Sequence, residues 1–502
     1  MRSRSSSLQL RPRRLGRLAM SMSLATLVSG CTTNPVTGKS EFTFMSAQRE
    51  AALGREAATQ VQEQIGLLLD PALTAWLRDL GNRLAAHSPR SGVPHRFAIV
   101  DMPEPNAFAL PGGYVYVSRG LLVLANSESE VAAVVGHEIG HVAARHVAQR
   151  ETRSVGVGLL TAFGALAAGA VGGEELGRSV AGFGQLAGAG LIASYSREQE
   201  RQADAVGQKL AAASGYDPAD LSTFLTTLER ESLLRSGITG RPGFFDSHPL
   251  TRERIASTAA RAAGLQVAAS PPGVEDRSAF LERLDGLRVG PDPAEGVFRA
   301  ERFLHPGLGI VIDFPGQWST RNGRDAVGAL SPAEDAVIIL ELQGPTEDPR
   351  KAAHAYTAAR GLPLGEGFDL KIGGWPAFRA WSEGRTESGP VQLDLTWIAH
   401  PKGTLRITSM AEATRFQRYA AGFRAVARSV RSMTRRERHS ITDLRLRIVE
   451  ARRRESLRSL SRRTGNAWSI AETAVANGLS EDVRLGRGQP VKIVEQVRYL
   501  GD

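Results

Sequence analysis

The chain has 502 residues, of which 42% are apolar, so it can bury the cores of about three domains. Its net charge of +10 comes from an excess of arginine in two segments. Six arginines lie before residue 31, and residues 431–463 hold twelve arginines against four acidic residues. The rest of the chain is mildly acidic, which excludes a generally basic protein, and the single cysteine excludes an internal disulfide.

Residues 1–30 have the composition of a signal peptide, with arginines followed by a short apolar run and then Val-Ser-Gly. The small residues before Cys31 resemble a bacterial lipobox, in which the cysteine is lipidated and becomes the mature N-terminus. Lipidation also explains the position of a lone cysteine in an exported chain. Because Thr32 follows instead of an aspartate, we predict an outer-membrane lipoprotein that faces the periplasm. A soluble periplasmic protein is the alternative.

Residues 134–147, VVGHEIGHVAARHV, place histidines and a glutamate within an apolar pattern of helical period. His137 and His141 are one helical turn apart and therefore share a face. Two imidazoles in this arrangement can hold zinc, while Glu138 polarises a metal-bound water. A catalytic zinc site needs a third protein ligand, which must come from elsewhere in the chain.

The two ends of this helix carry further polar residues. Ser127 and Glu130 predict a capping box at its start. His146 follows His141 by five residues, about 500° of rotation on a continuous helix, which would point it away from the ligand face. We therefore predict a surface or structural role for His146.

A second predicted helix, SREQERQADAVG at residues 196–207, carries Glu200 and Asp204 on one face. HEIGH followed about sixty residues later by S-R-x-x-E-x-x-A-D resembles the M48 zinc metallopeptidases, which include membrane-bound CAAX proteases and bacterial envelope quality-control proteases. The resemblance implies that Glu200 is the third ligand of one zinc ion per chain. It also implies that Asp204 holds a ligand histidine by its other ring nitrogen. No role is predicted for Glu198.

The segment NAFALPGGYVYVSRGLL resembles the family's edge strand beside the active-site helix. Alternation from Tyr114 to Val117 predicts a strand after the turn at Gly112 and Gly113. An edge strand that includes Asn106 can pair with an extended substrate through backbone hydrogen bonds. A strand that only covers the core is the alternative.

SHPLTRERI at residues 247–255 resembles the family's S-H-P-x-x-x-x-R-I element. His248 is expected to approach the zinc or the oxyanion, and Arg254 is expected to stabilise developing negative charge. Alternatively, His248 caps a helix that begins near Pro249. If His248 occupied the zinc coordination position that the catalytic water needs, the enzyme would stay latent until a substrate or partner displaced the histidine.

Between the two ligand helices, residues 154–173 and 180–193 are rich in glycine and alanine and almost free of charge. We predict an amphiphilic or mobile flap over the cleft that touches membrane or unfolded substrate. A buried helix and a transmembrane hairpin are the alternatives.

Residues 266–297 are punctuated by proline and glycine and are predicted to be a linker. Residues 298–432 contain short alternating runs and two predicted helices, which indicate an α+β accessory domain. Its histidines are scattered and are predicted to be structural or exposed: His305, His354 and His400.

Residues 433–502 are predicted to be a basic linker followed by a module that resembles a degenerate LysM domain. Such modules bind N-acetylglucosamine polymers, so peptidoglycan is an expected partner. Arg454-Glu455-Ser456 replaces the usual aspartate-threonine turn, and a retained fold with another partner is the alternative. The arginines of residues 431–463 are expected to lie near anionic lipid, lipopolysaccharide or cell-wall polymer. The alternative is that this basic segment is only a solvated linker. Nucleic acid is not expected in this compartment.

The predicted protein is of the α+β class, with a signal peptide (1–30), an M48-like zinc metallopeptidase domain (31–265), a linker, the accessory domain and the basic LysM-like segment. Its predicted function is cleavage of unfolded or misassembled envelope polypeptides by Glu138-assisted attack of zinc-bound water. The outer-membrane assembly machinery is a candidate partner. A non-catalytic chaperone or assembly factor that uses the same cleft is the competing function. A wall hydrolase would depend on the LysM resemblance alone.

Overall fold

The computed structural model describes residues 31–42, 45–150, 194–235, 244–270, 273–386 and 389–501. The predicted signal peptide and both Gly/Ala-rich segments, at 154–173 and 180–193, lie outside the described residues. Within the described ranges, no helix combines the length and apolar character needed to cross a membrane. Helices and small sheets alternate along the chain, which confirms the predicted α+β class.

The amino-terminal domain, taken here as described residues 31–270, is mainly helical. Its strands are β1 (Cys31–Thr33), β2 (Ser40–Phe42), β3 (Arg96–Val100), β4 (Ala107–Leu110) and β5 (Tyr114–Ser118). Its helices are α1 (Ala47–Gln64), α2 (Pro71–Ala85), α3 (Arg119–Leu124), α4 (Glu128–Ala143), α5 (Arg197–Ala213), α6 (Asp220–Arg235), α7 (Phe244–Ser247) and α8 (Arg252–Ala262).

The helix starts follow from local side-chain chemistry. Ser127 caps α4 by accepting a hydrogen bond from the Glu130 amide. The return bond of the predicted capping box is different, because the Glu130 carboxylate accepts from the amide of Asn126 instead of Ser127. At the start of α5, Ser196 and Gln199 form a complete reciprocal capping box. Both helices that carry the site are therefore fixed at their first turn.

The three-stranded sheet has the order β3-β5-β4, with β3 and β5 parallel and β4 and β5 antiparallel. The strand predicted to lie at the edge, Tyr114–Ser118, is therefore central, and that prediction is wrong. It is central because the Pro-Gly-Gly turn folds β4 back along one side of it while β3 pairs with the other. The outer side of β3 is met by Leu67 and Leu68, which pair with Val100 and Ile99. The edge strand that packs on α4 is β4.

The predicted linker at 266–297 is folded onto the amino-terminal core. It contains α9 (Arg277–Arg283), whose Phe280 and Leu281 are fully buried in that core. It also contains β6 (Arg288–Val289), which pairs with a strand of the carboxy-terminal segment, Thr442–Glu450. This stretch therefore contacts the amino-terminal core through α9 and the carboxy-terminal segment through β6.

The middle domain contains two antiparallel sheets. The larger has the strand order β10-β11-β12-β16-β15-β14-β13, and the smaller has the order β17-β9-β8-β7. Its elements are β7 (Val297–Arg299), β8 (Arg302–His305), β9 (Ile310–Asp313), β10 (Ser319–Asn322), β11 (Ala326–Leu330), β12 (Ala336–Gln343), α10 (Pro349–Ala359), β13 (Gly367–Ile372), β14 (Trp375–Thr386), β15 (Gly389–His400), β16 (Gly403–Glu412), α11 (Phe416–Ser429) and β17 (Arg431–Ser432). Both predicted helices are present, and α11 packs its apolar face on the sheet.

The carboxy-terminal module runs from a long strand through two short helices to a closing strand. Its elements are α12 (Arg435–Ser440), β18 (Thr442–Glu450), β19 (Glu455–Ser456), α13 (Leu457–Thr464), α14 (Ile470–Ala476), β20 (Arg484–Leu485) and β21 (Pro490–Arg498). Leu457 and Leu460 are fully buried. Lys492 of β21 is also buried and donates to the carbonyls of residues 123, 124 and 125 at the end of α3. The module is thereby joined to the segment that leads into α4.

Candidate metal centre

The site is built where α4 and α5 pack against each other. Glycines make the close approach of the two helix backbones possible. A Cβ on Gly207 would lie 2.6 Å from the backbone nitrogen of His137. A Cβ on Gly136 would lie 2.9 Å from the Gly207 carbonyl oxygen, and one on Gly140 would lie 2.9 Å from the Ala203 oxygen. No larger side chain fits at these positions without moving the helices.

Four side chains present potential metal-binding atoms within 4.8 Å of one another: His137, His141, Glu200 and His248. The Nε2 atoms of His137 and His141 are 3.0 Å apart, and His141 Nε2 lies 3.3 Å from Glu200 Oε1. His248 Nδ1 lies 3.2 Å from His137 Nε2 and 3.0 Å from Glu200 Oε1. All four residues are buried.

The donor set fits a zinc ion. Ligands bound tetrahedrally at about 2.0–2.1 Å from zinc lie about 3.3–3.4 Å from one another, close to the separations in this cluster. Imidazole nitrogen and carboxylate oxygen are the ligand types of catalytic zinc sites. Burial lowers the pKa of His141 well below its usual value, so this imidazole is in the neutral form that binds a metal.

A buried ion network supports the cluster from behind. His137 Nδ1 lies 2.9 Å from Asp204 Oδ1, on the side of the ring opposite the cluster. Arg254 donates two hydrogen bonds to Asp204, at 2.7 and 2.8 Å, and its guanidinium also lies 2.6 Å from Glu200. Burial alone would raise the pKa of Asp204, but Arg254 and His137 outweigh it and hold that pKa below the ordinary range. Arg254 thus faces two fixed carboxylates.

Glu138 lies beside the cluster. Its side chain is fully buried, and neither carboxylate oxygen has a hydrogen-bond partner within the described part of the chain. The Nε2 atom of His248 lies 3.5 Å from Glu138 Oε1. Burial raises the pKa of Glu138. Burial alone would also raise the pKa of Glu200, but the charges of His248 and His137 outweigh it and hold the pKa of Glu200 well below the ordinary range. The two carboxylates therefore differ strongly in basicity.

His248 follows the short helix α7, and its ring stacks on Phe244 with the centroids 4.4 Å apart. Helix α8 begins after Thr251, which caps it by accepting from the Arg254 amide. The alternative in which His248 caps this helix is therefore wrong. Burial alone would lower the pKa of His248, but Glu200 and Glu138 outweigh it and raise that pKa.

Other predicted residues lie around this centre or apart from it. Asn106 is buried at the start of the edge strand β4, and its Oδ1 has no hydrogen-bond partner among the described residues. Gly112 and Gly113 form the turn between β4 and β5 with φ of 76° and 89°, a conformation that favours glycine. Tyr114 begins the central strand. Glu198 is exposed and pairs with Arg201.

His146 differs most from its prediction. It is fully buried, so a surface position is wrong, and its Nδ1 lies 2.8 Å from His141 Nδ1. The continuous-helix argument failed because α4 ends at Ala143 and Arg145 takes a left-handed conformation with φ 58°. Residues 144–147, Ala-Arg-His-Val, contain no glycine, asparagine or proline that would have predicted such a turn.

Histidines of the middle domain are remote from the cluster in sequence and contact their own domain. His305 accepts a hydrogen bond from the Leu308 amide, and burial lowers its pKa to about 4. His400 is buried against Trp375, with the ring centroids 4.7 Å apart. These contacts account for both side chains as structural residues.

Comparison with known proteins shows what the domain that carries the cluster is similar to. Residues 71–262 match the family model described as Peptidase family M48. The chain is 33% identical over 231 residues to the beta-barrel assembly-enhancing protease of Yersinia pestis, covering 45% of this chain and 47% of that protein. It is 28% identical over 226 residues to the mitochondrial metalloendopeptidase OMA1 of Schizosaccharomyces pombe, covering 44% and 63%. It is 28% identical over 249 residues to the metalloprotease LoiP of Escherichia coli strain K12, covering 47% and 92%.

The chain spans about half the length of the first of these relatives. The matched region, residues 71–262, begins at α2 and ends at the last residue of α8, and it contains all four members of the donor cluster together with Glu138, Asp204 and Arg254. Sequence motif, donor geometry and family model thus point to the same segment. Residues 71–262 are therefore similar to the peptidases of family M48.

Proposed function

We propose that this chain is a zinc-dependent endopeptidase of the bacterial envelope that cleaves unfolded or misassembled outer-membrane proteins. The observation that carries the proposal is the buried convergence of His137, His141 and Glu200 beside Glu138, whose carboxylate has no hydrogen-bond partner among the described residues. The names of the Yersinia pestis and Escherichia coli relatives support protease activity, and the former supports outer-membrane proteins as the substrate class.

In the proposed mechanism His137, His141 and Glu200 hold the zinc ion, which when bound supplies a Lewis acid and lowers the pKa of water. Glu138 takes the proton of the attacking water and delivers it to the leaving amine. Its raised pKa suits this work, because a buried carboxylate retains an accepted proton more readily than an exposed one. His137 donates a hydrogen bond from Nδ1 to the Asp204 carboxylate and so presents the Nε2 lone pair to the site.

Arg254 is proposed to position these carboxylates instead of meeting substrate. Its guanidinium already contacts Asp204 and Glu200, and the whole side chain is buried. The expected role in stabilising developing negative charge would require part of this network to open. Holding Glu200 and Asp204 in place is the role that its contacts support.

The substrate strand is proposed to be β4 (Ala107–Leu110), with Asn106 at its start. This strand lies at an edge of its sheet and packs beside α4, whereas β3 at the other edge pairs with Leu67 and Leu68. An extended peptide that pairs with β4 would be held by backbone hydrogen bonds, with little demand on its sequence. The buried Asn106 Oδ1 is an additional acceptor for a peptide amide.

His248 is proposed to regulate access to the centre as a fourth ligand. Its Nδ1 faces both His137 and Glu200, and a fourth protein ligand would close the position that water needs. His248→Ala should then raise cleavage of an unfolded model protein and cause self-cleavage, with zinc content unchanged. Combining it with Glu138→Gln should abolish both effects. A fall in turnover by about 100-fold with zinc retained would instead assign His248 to oxyanion stabilisation.

Location and partners are proposed from the sequence. Cys31 is proposed to carry a lipid anchor in the outer membrane, and the carboxy-terminal module is proposed to bind peptidoglycan. Cys31→Ser should abolish labelling by a fatty-acid probe and release the protein from the membrane. A serine variant that labels like the wild type would contradict the anchor.

Metal content and a matched pair of strains test the central proposal. The purified protein should bind about one zinc ion, and His137→Ala, His141→Ala or Glu200→Ala should each abolish binding because too few ligands remain. Glu138→Gln should keep zinc and lose proteolysis. Full-length outer-membrane proteins should accumulate in cells that carry Glu138→Gln in place of the wild type. An unchanged envelope proteome would favour the non-catalytic assembly factor.

A further inference from the structure

His146 lies directly behind one of the proposed zinc ligands. Its Nδ1 is 2.8 Å from His141 Nδ1, whereas His141 Nε2 faces His137 and Glu200. The other nitrogen of His146, Nε2, is 3.2 Å from Gln202 Oε1 on α5. His146 therefore stands between a ligand histidine on one helix and an amide on the neighbouring helix.

Only one assignment of protons satisfies these contacts when His141 binds a metal. Because His141 Nε2 must offer its lone pair, its Nδ1 carries the proton and donates to His146 Nδ1. Neutral His146 then carries its proton on Nε2 and donates to Gln202 Oε1. The amide of Gln202 in turn donates to the Glu198 carboxylate at 3.2 Å, so every donor meets an acceptor.

The plane of the His141 ring is fixed by a second contact. Tyr195 stacks on it with centroids 3.8 Å apart and an interplanar angle of 23°. The Tyr195 amide donates to the Ser247 carbonyl, which ties the stacking ring to α7. Stacking prevents tilt out of the ring plane, and the bond to His146 sets rotation within that plane.

The two proposed histidine ligands thus have different supports. His137 is backed by the carboxylate of Asp204, which Arg254 holds, whereas His141 is backed by an imidazole. The left-handed conformation of Arg145 turns the chain after α4 and brings His146 to this place. The Arg145 side chain anchors the turn by donating to the Met45 carbonyl.

We propose that His146 is a positioning residue for His141, which fixes the tautomer and orientation in which His141 binds zinc. This inference rests on the proposed zinc site and adds a residue to it. Loss of such a supporting hydrogen bond typically lowers metal affinity by about 10- to 100-fold. His146 does not join the donor cluster itself, because its Nδ1 meets the nitrogen of His141 that points away from that cluster.

Three substitutions distinguish positioning from a merely structural role. Asparagine places its Oδ1 the same number of bonds from the backbone as the Nδ1 of histidine, so His146→Asn keeps an acceptor for His141. Glutamine reaches only the Nε2 position, and leucine has no acceptor. We expect zinc affinity, measured by competition with a chromogenic chelator, to stay within about threefold of wild type for asparagine and to fall about 10- to 100-fold for glutamine and leucine.

Two further readouts keep the test independent of activity. The cobalt-substituted protein should show an altered visible spectrum for His146→Gln and an unaltered one for His146→Asn. Denaturant midpoints of the zinc-free variants measure any general loss of packing. Gln202→Met, which removes the acceptor for His146 Nε2, should lower zinc affinity by a smaller factor than His146→Leu and provides a second route if a His146 variant does not fold.

The outcomes separate this inference from the proposed function. Failure of the wild type to bind zinc would overturn both. Zinc binding by the wild type that is unchanged in His146→Leu and Gln202→Met would overturn the positioning role alone. Equal losses for the asparagine, glutamine and leucine variants would also overturn it, because the position of the acceptor would then be irrelevant.

Discussion

Replacing Gly207 with alanine should disturb the metal centre without replacing any proposed ligand side chain. Gly207 lies on α5 where this helix crosses α4. An added Cβ would lie 2.6 Å from the backbone nitrogen of His137 and 2.9 Å from its Cα. These are backbone atoms, which cannot rotate away as a side-chain end can. The two helices must therefore separate.

The size of the effect follows from the contact distance. Ordinary contacts begin at 3.4 Å, so α4 and α5 must move apart by about 0.8 Å at this point. Metal–ligand distances tolerate only about 0.2 Å. Because Glu200 moves with α5 while His137 and His141 stay on α4, we expect zinc affinity to fall by about tenfold or more. The clash should lower the free energy of unfolding by about 3 kcal/mol. The higher helix propensity of alanine should recover about 1 kcal/mol of this loss.

Chelator competition measures the zinc affinity, and denaturant unfolding of the zinc-free protein measures the stability. Gly422→Ala is the matched control, because Gly422 is exposed on a helix and a Cβ there would have no neighbour within 4 Å. This variant should gain up to about 1 kcal/mol and leave zinc affinity unchanged. A Gly207→Ala protein that binds zinc as tightly as the wild type would refute the idea that glycine contact sets the spacing of the ligands.

Arg254→Met should lower stability by about 3–5 kcal/mol, because the buried Asp204 carboxylate loses its bidentate partner; an unchanged denaturant midpoint would contradict this. Lys492→Met should cost about 2–4 kcal/mol, because three buried carbonyls lose their donor, and the same measurement tests it. Glu455 has a pKa of about 2, held below its ordinary 4.5 by hydrogen bonds from Arg463. Since the folded value is the lower one, its contribution is complete above pH 4.5 and is lost as pH falls towards 2. Acid unfolding should therefore be less steep in Glu455→Gln, and identical acid profiles would count against this ion pair.

The sequence alone determined the two helices and the residue types of the centre. Helical period and local capping are short-range properties, so HEIGH and the Ser196 segment predicted helices that the structure contains. The spacing of His137 and His141 follows from one helical turn. Resemblance of both motifs to a known family then supplied Glu200, which lies on a different helix.

Local pattern could not predict which strand lies at an edge. Tyr114–Ser118 alternates as a half-exposed strand does, yet it is the middle strand because β3, from earlier in the chain, pairs in parallel with it. Strand order depends on pairing between distant segments, which alternation does not encode. The predicted linker raised the same difficulty: its buried side chains, such as Phe280, pack on a core that other segments build.

Only the tertiary structure decided the surroundings of the ligands. His146 returns to His141 because the chain turns at Arg145, and the Asp204 carboxylate is held by Arg254 from another helix. Sequence fixes what each residue can donate or accept, since that is a property of the side chain. Which donor meets which acceptor depends on how the helices pack, and here that packing is set by the backbone contact at Gly207.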